Sequence, residues 1–192
     1  MELSLRVKHA LDALESPDFW SRAQAVEDLA ACAVAMAERV ASVFAADEDA
    51  RWVIAERLGG FGSLMLEPME RVYREADDEG LKQMTASLLL RMGSSVGVPS
   101  LMRAIEPGNP HLLTAAAALS RAGISEAAEL IESAILECDL SDFKALDILV
   151  SSLRDLNVGM SEPVYIRLSG VEKKWFRDSL IKWTESDINP ER

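Results

Sequence analysis

Few residues in this sequence are arranged for catalysis or metal binding. His9 and His111 are the only histidines, and Cys32 and Cys138 are the only cysteines. Neither type has the close spacing of a metal site or of a nucleophile beside its base. The His-Glu-x-x-His, Walker, Cys-x-x-Cys and Gly-x-Ser-x-Gly motifs are also missing. We therefore predict a protein that is not an enzyme and that uses no cofactor or metal.

The strongest chemical pattern is a row of acidic side chains on a helix predicted from Ser125 to Cys138. Residues three or four apart share one face of a helix. By this spacing one face carries a set that we name the acidic row: Glu126, Glu129, Ser133 and Glu137. The opposite face carries apolar residues: Leu130, Ile131, Ala134 and Ile135. The row is either a binding surface or a solvated face that keeps the protein soluble.

Charged residues also occupy the matching outward positions of the preceding predicted helices. These are Glu67, Glu70, Arg71, Arg74 and Arg103. Together with the acidic row they form the predicted partner-binding surface. The chain has 32 acidic and 20 basic residues, a net charge of -12. This charge favours a basic protein as the partner and makes nucleic acid an unfavourable one.

Four turn signals organise the chain into helical pairs. In each, an apolar helical stripe runs into Gly or Asn, residues that tolerate the left-handed conformation closing a helix. The signals lie 34, 30 and 34 residues apart: Leu58-Gly59, Met92-Gly93, Ala122-Gly123 and Leu156-Asn157. Second helices are predicted to start at Ser63, Ser95, Ser125 and Ser161. First helices are predicted to start near Asp18, Asp47, Asp77-Asp78, Asn109 (with Pro110 as first helical residue) and Ser141-Asp142.

The segments near the two ends of the chain lack these turn signals. Leu3 to Leu14 predicts an amphipathic helix that Ser16-Pro17 ends. The run from Asp18 to Ala46 has no Gly or Pro, so it predicts either one long helix or a pair that turns near Ala31 to Ala33. Val171 to Glu185 predicts a closing helix. One apolar stripe of this run is expected to face neighbouring helices: Phe19, Ala23, Val26, Ala30 and Ala33. The four tryptophans are also expected to pack between helices. For Trp52 the alternative is an exposed side chain that anchors a partner.

These short pairs, with Ala-rich first helices, an apolar-Gly turn and a Ser-started second helix, resemble bacterial HEAT repeats of the kind seen in bilin lyases. The resemblance implies an all-α, right-handed α-solenoid of about five HEAT-like helical pairs with capping helices. The resemblance covers about residues 18–170. Together with the patterns that flank it, we predict one domain over 1–186, with a cap at 1–17, repeats at 18–170, a second cap at 171–186 and a flexible tail at 187–192. Tetratricopeptide repeats are the alternative, but their signature residues are missing.

The sequence favours a protein-binding module whose second helices line a concave face, as the HEAT resemblance implies. Its narrower form is an acidic bacterial immunity protein that neutralises a basic toxin. The alternatives are a bilin lyase or isomerase-like HEAT protein and a scaffold or adaptor subunit. We expect a cytoplasmic protein, because the two cysteines are predicted to be free and the N-terminus has no uninterrupted apolar run. We expect no membrane span, because Glu38 and Arg39 interrupt the richest apolar stretch.

Overall fold

A computed structural model describes the backbone of residues 2–186 and the side chains of residues 3–58 and 62–182. Over these residues the chain forms eleven α-helices and two 3-10 helices, and it contains no strand. The all-α prediction is confirmed. The contacts divide the chain into two compact units, with the division between Ala76 and Asp77. The single domain over 1–186 stays a prediction, and the tail at 187–192 lies outside the described residues.

The first unit is built around one long helix. Its elements are α1 (Glu2–Leu14), α2 (Phe19–Ala46), α3 (Glu48–Arg57), a 3-10 helix (Leu58–Met65) and α4 (Leu66–Glu75). The predicted N-terminal helix is confirmed, and the run that begins at Asp18 forms one helix of 28 residues, Phe19–Ala46, rather than a pair. The backbone N–H of Ser21 donates to the Asp18 carboxylate at 2.8 Å, which caps α2 and lowers the pKa of Asp18.

Every other helical element of the first unit contacts α2. On the α1 side the buried residues are small, and they include Ala10, Ala25 and Cys32. Further along α2, Ala37, Ala41 and Phe44 are buried where the 3-10 helix and α4 pack. The covering elements contribute larger side chains, which are the fully buried Met65 and Met69. Small residues on α2 and long ones opposite thus fill this core.

The second unit contains the remaining helices. They are α5 (Glu79–Arg91), α6 (Val98–Ala104), α7 (Leu112–Arg121), a 3-10 helix (Ser125–Ala127), α8 (Ala128–Glu137), α9 (Phe143–Asp155), α10 (Glu162–Ser169) and α11 (Lys174–Ser186). Contacts link α5 to α7, α7 to α9 and α9 to α11. They also link α8 to both α9 and α10. The predicted closing helix is confirmed as α11.

Three of the four predicted helix ends are confirmed by the backbone. Gly93 and Gly123 have φ of 88° and 71°, and Asn157 has φ of 54°. All three follow the last turn of a helix, where the left-handed conformation reverses the chain. The fourth signal, Leu58-Gly59, is misread as a simple reversal. The chain continues there as a 3-10 helix, and a positive φ of 56° falls at Gly62 instead.

Carboxylates set the starts of three first helices as predicted. Asp47 accepts from the backbone N–H of Ala50 at 3.0 Å, and Asp142 accepts from that of Ala145 at the same distance. Asp78 accepts from the backbone N–H of Leu81 at 2.6 Å. These bonds satisfy N–H groups that have no partner within the helix. The Asp starts at 47, 78 and 142 are confirmed.

Three of the other predicted helix starts are wrong by two or three residues, whereas Ser161 directly precedes α10 as predicted. α4 begins at Leu66 rather than Ser63, and α6 begins at Val98 rather than Ser95. α7 begins at Leu112, because the Asn109 side chain accepts from the backbone N–H of His111 at 2.9 Å and closes a turn before the helix. At Asn109 the polar side chain thus stabilises the turn before the helix rather than the first helical residues.

The packing predicted for the tryptophans is wrong for three of the four. Trp20, Trp52 and Trp175 are 75%, 68% and 70% exposed. The side chain of Trp183 lies outside those that the structure describes. For Trp52 the exposed alternative holds. Aromatic side chains of this size usually bury most of their surface, so their exposure directs attention to interaction surfaces.

Within the described residues, α2 alone is long and apolar enough to cross a membrane. This is weak evidence, because a core helix or a signal sequence meets the same measure of length and composition. Glu38 and Arg39 therefore do not exclude a span by composition. The cytoplasmic location stays a prediction.

We predict that Gly97→Ala destabilises the second unit by about 1–3 kcal/mol, the usual cost of overpacking. A Cβ at Gly97 would lie 2.6 Å from Cβ and 2.7 Å from Cα of Ala86, which is fully buried on α5. The start of α6 would then have to move away from α5. Urea unfolding of the full chain measures the change.

Gly159→Ala is the matched control, because its Cβ would meet no atom within 4 Å. We expect its free energy of unfolding to stay within about 0.5 kcal/mol of the wild type. Equal unfolding free energies for the two variants would contradict the close approach of α5 and α6.

Candidate interaction surfaces

The acidic row lies on the outer side of α8 and of the 3-10 helix before it. All four of its members are exposed: Glu126, Glu129, Ser133 and Glu137. The opposite face of the helix is anchored by the buried Ile131, Ala134 and Ile135. Leu130 was expected to be buried with them but is 37% exposed. The row is therefore available to solvent, and its binding role stays a prediction.

The neighbouring Glu132 has a structural role instead. Its carboxylate accepts from the backbone N–H of Ser161 at 2.9 Å. Ser161 is the residue before α10, so this bond ties α8 to the start of α10. A charged acceptor holding a backbone N–H is a strong form of hydrogen bond. Glu132 thus helps to fix the helix that presents the acidic row.

The end of α8 is also fixed, at Cys138. The Arg167 guanidinium donates to the Cys138 carbonyl at 2.9 Å. Burial raises the pKa of the Cys138 thiol, and the carboxylates of Asp142 and Asp139 raise it further. The backbone N–H of Ser141 donates to Asp139 at 2.8 Å and lowers the pKa of that carboxyl. Cys138 is therefore a protonated thiol at neutral pH and a poor nucleophile.

The predicted partner-binding residues of the first unit lie on α4. Arg71 donates through both terminal nitrogens to the carboxylate oxygens of Glu38 on α2, at 3.0 and 3.1 Å. This bonding raises the pKa of Arg71. Arg71 also lies 3.8 Å from Glu67, whose side chain is 86% exposed. A fork-shaped guanidinium matches a carboxylate in this geometry. Arg71 therefore holds α4 on α2.

The remaining predicted residues are distributed between the two units. Arg74 lies 3.5 Å from Glu70 on the same turn of α4. Arg103 is exposed on α6 in the second unit, which also contains the acidic row. The structure thus groups Glu67, Glu70, Arg71 and Arg74 on one helix of the first unit. Their membership of one surface with the second-unit residues stays a prediction.

An exposed apolar surface on α2 was missed by the sequence analysis. We name Phe19, Val26, Ala30 and Val34 the open stripe. Phe19, Val26 and Val34 are 65%, 58% and 50% exposed, and Ala30 is exposed as well. The ring of Phe19 packs edge-on against that of the exposed Trp20, with 5.4 Å between centroids. From the sequence, Phe19, Val26 and Ala30 of this stripe were expected to face neighbouring helices.

One signal in the sequence could have revealed the open stripe. The helix of 28 residues is about 42 Å long, whereas α1 with 13 residues is about 20 Å long. A single short helix cannot cover an apolar helix on more than one side. The first unit therefore has more apolar helix surface than it can bury.

A cleft of about 590 Å³ lies between α1 and the start of α2. Arg6 and His9 line it from α1, and Asp18, Trp20 and Asp28 line it from α2. Charges of both signs meet here in solvent-exposed positions. The other histidine, His111, is half-buried before α7. Among the described residues no group of three or more His, Cys, Asp or Glu side chains is placed to hold a metal ion.

We predict that Arg71→Lys lowers the melting temperature of the full chain more than Arg74→Lys does. Lysine keeps the charge but has a single ammonium in place of the two nitrogens that Arg71 directs at Glu38. Arg74 is the matched control, since its guanidinium lies 3.5 Å from the Glu70 carboxylate on the same helix and its side chain is 60% exposed. Equal melting temperatures for the two variants would contradict the anchoring role of Arg71.

Comparison with protein-family models, with curated proteins and with solved structures found no match.

Proposed function

We propose that this protein is a non-enzymatic binding module, built as a HEAT-like solenoid, that binds a basic partner protein through acidic surface residues. The observation that carries the proposal is the exposure of the whole acidic row on α8. Within the described part of the chain, Glu129 and Glu137 form no ion pair. Charges with no internal partner do not stabilise the fold through ion pairs, and they remain free to attract an opposite charge.

The order of helix contacts in the second unit supports the solenoid form of the proposal. Alternate helices α5, α7, α9 and α11 contact one another in sequence. The intervening helices α8 and α10 also contact each other. Stacked pairs in which each contacts its neighbours are typical of helical repeats. In this arrangement α8 is a second helix, and the HEAT resemblance puts second helices on the concave face.

The charge of the chain supports a basic protein as the partner. The net charge of -12 makes long-range attraction to a basic protein favourable. Complementary charge speeds association and selects against acidic competitors. In its narrower form, the proposal is that the partner is a basic toxin domain, such as a nuclease, and that the acidic row covers its substrate-binding surface.

We predict that reversing the acidic row with Glu126→Lys, Glu129→Lys and Glu137→Lys abolishes salt-sensitive capture of a basic partner. The immobilised full chain is incubated with lysate of the source cells at low and high salt, and the retained proteins are identified by mass spectrometry. Wild type is expected to retain a basic protein that high salt releases. With the purified pair, the triple reversal should slow association by about tenfold or more at low salt.

The matched control reverses three exposed acidic residues elsewhere in the second unit, which are Glu106, Asp147 and Glu172. It changes the net charge by the same amount, so capture by this variant shows that position, rather than total charge, decides binding. Capture that both triple variants lose equally would contradict the α8 surface. Failure of wild type to retain any basic protein would contradict the proposed function.

A further inference from the structure

Two segments of α2 have the same pattern of residues, 11 positions apart. The first reads Val-Glu-Asp-Leu-Ala-Ala-Cys-Ala over 26–33, and the second reads Ala-Glu-Arg-Val-Ala-Ser-Val-Phe over 37–44. Eleven residues are about three helical turns, with an offset of only about 20°. Corresponding residues therefore project from nearly the same side of α2. Glu27 corresponds to Glu38, and Ala30 corresponds to Ala41.

The second segment is a helix-docking site that the chain itself occupies. Ala37 and Ala41 are 0% and 3% exposed, because the 3-10 helix and α4 pack over them. The docked element contributes the fully buried Met65 and Met69. Beside this apolar contact, Arg71 binds Glu38 with two hydrogen bonds. The docking mode thus combines long apolar side chains on a small-residue stripe with an arginine on a glutamate at its edge.

The first segment also has an apolar stripe with a glutamate at its edge, but no described residue covers this stripe. Val26, Ala30 and the neighbouring Val34 of the open stripe are exposed. Glu27, the counterpart of Glu38, is exposed and forms no ion pair within the described part of the chain. The same face of one helix is therefore buried at 37–44 and open at 26–34.

We propose that the open stripe binds an amphipathic helix of a basic partner protein in the way that α2 holds α4. The partner helix would place long apolar side chains on Val26 and Ala30 and an arginine on Glu27. The inference deepens the proposed binding function by naming a helix as the partner's recognition element, and it uses a surface other than the acidic row. Helix-in-groove recognition relies on this combination of apolar anchors and flanking charge.

Charge favours a basic partner helix over a second copy of the chain or a membrane. Each copy of the chain carries a net charge of -12, which opposes association of two copies. Anionic lipid would repel the carboxylates of Asp18, which precedes α2, and of Glu27 and Asp28 in the first half of α2.

The test uses a fluorescent peptide with the sequence 64–76 of this chain, carrying Glu67→Lys and Glu70→Lys to make its flanks basic. Fluorescence anisotropy measures its binding to the full-length protein. Wild type should bind it saturably, and Val26→Asp should abolish binding. Glu27→Arg should weaken binding by about tenfold, because it replaces an attraction with a repulsion. A peptide with Arg71→Glu should fail on wild type and regain binding on Glu27→Arg.

Two control variants distinguish peptide binding at the open stripe from partner binding at the acidic row. Glu56→Arg changes the charge of an exposed residue on α3 and should leave peptide binding unchanged. Reversal of the acidic row should also leave it unchanged, so the two surfaces fail or succeed independently. Far-ultraviolet circular dichroism of Val26→Asp verifies that the fold is kept.

Three results would overturn the inference. The first is a peptide that binds wild type no better than Val26→Asp. The second is a wild-type dimer in sedimentation velocity that Val26→Asp dissociates, because the occupant would then be a second copy. The third is co-sedimentation with vesicles of equal parts phosphatidylcholine and phosphatidylserine that Val26→Asp removes, because the occupant would then be a lipid surface.

Discussion

The first unit depends on the packing of α2, since every other helical element of that unit contacts it. The helix presents small side chains such as Ala25, Ala37 and Ala41 on its buried sides, which lets neighbouring helices approach closely. The elements packed on it supply larger side chains, such as the fully buried Met65 and Met69. The Arg71–Glu38 pair then fixes the position of α4 along α2. Packing and one charged contact thus act together.

The second unit is constrained by its turns and caps rather than by one long helix. Left-handed residues at Gly93, Gly123 and Asn157 follow the ends of α5, α7 and α9. The side chains of Asp78 and Asp142 cap the starts of α5 and α9. Each of these turns and caps depends on one or two residues, so the residues on the outer faces of the helices can vary. The acidic row on α8 uses that freedom, while Glu132 beside it holds the start of α10.

The two proposed surfaces would attract partners through different physical interactions. The acidic row would act through long-range charge, which speeds an encounter and is weakened by salt. The open stripe would act through removal of apolar area from water, which salt does not screen. This division of roles is common at interfaces, where apolar anchors supply most of the affinity.

Local sequence was enough to predict the helical class, the ends of α5, α7 and α9 and the carboxylate caps, because these depend on residues close together in the chain. It also predicted the outward position of the acidic row, since helical spacing alone separates Glu129 and Glu137 from Ile131 and Ile135. The run 18–46, which has no Gly or Pro, left one long helix and a helix pair as alternatives, and the structure has one helix, α2. Local interactions are readable from local patterns.

Only the tertiary structure decided which apolar faces are covered. The stripe through Val26, Ala37 and Phe44 is continuous in sequence, yet Val26 is 58% exposed and Phe44 is fully buried. Periodicity reports that a face is apolar but not whether another helix reaches it. The hydrogen bonds between Arg71 and Glu38 could not be predicted either, because the two residues are 33 positions apart in the chain. Burial and long-range pairing depend on the lengths and placement of distant helices, which no local pattern contains.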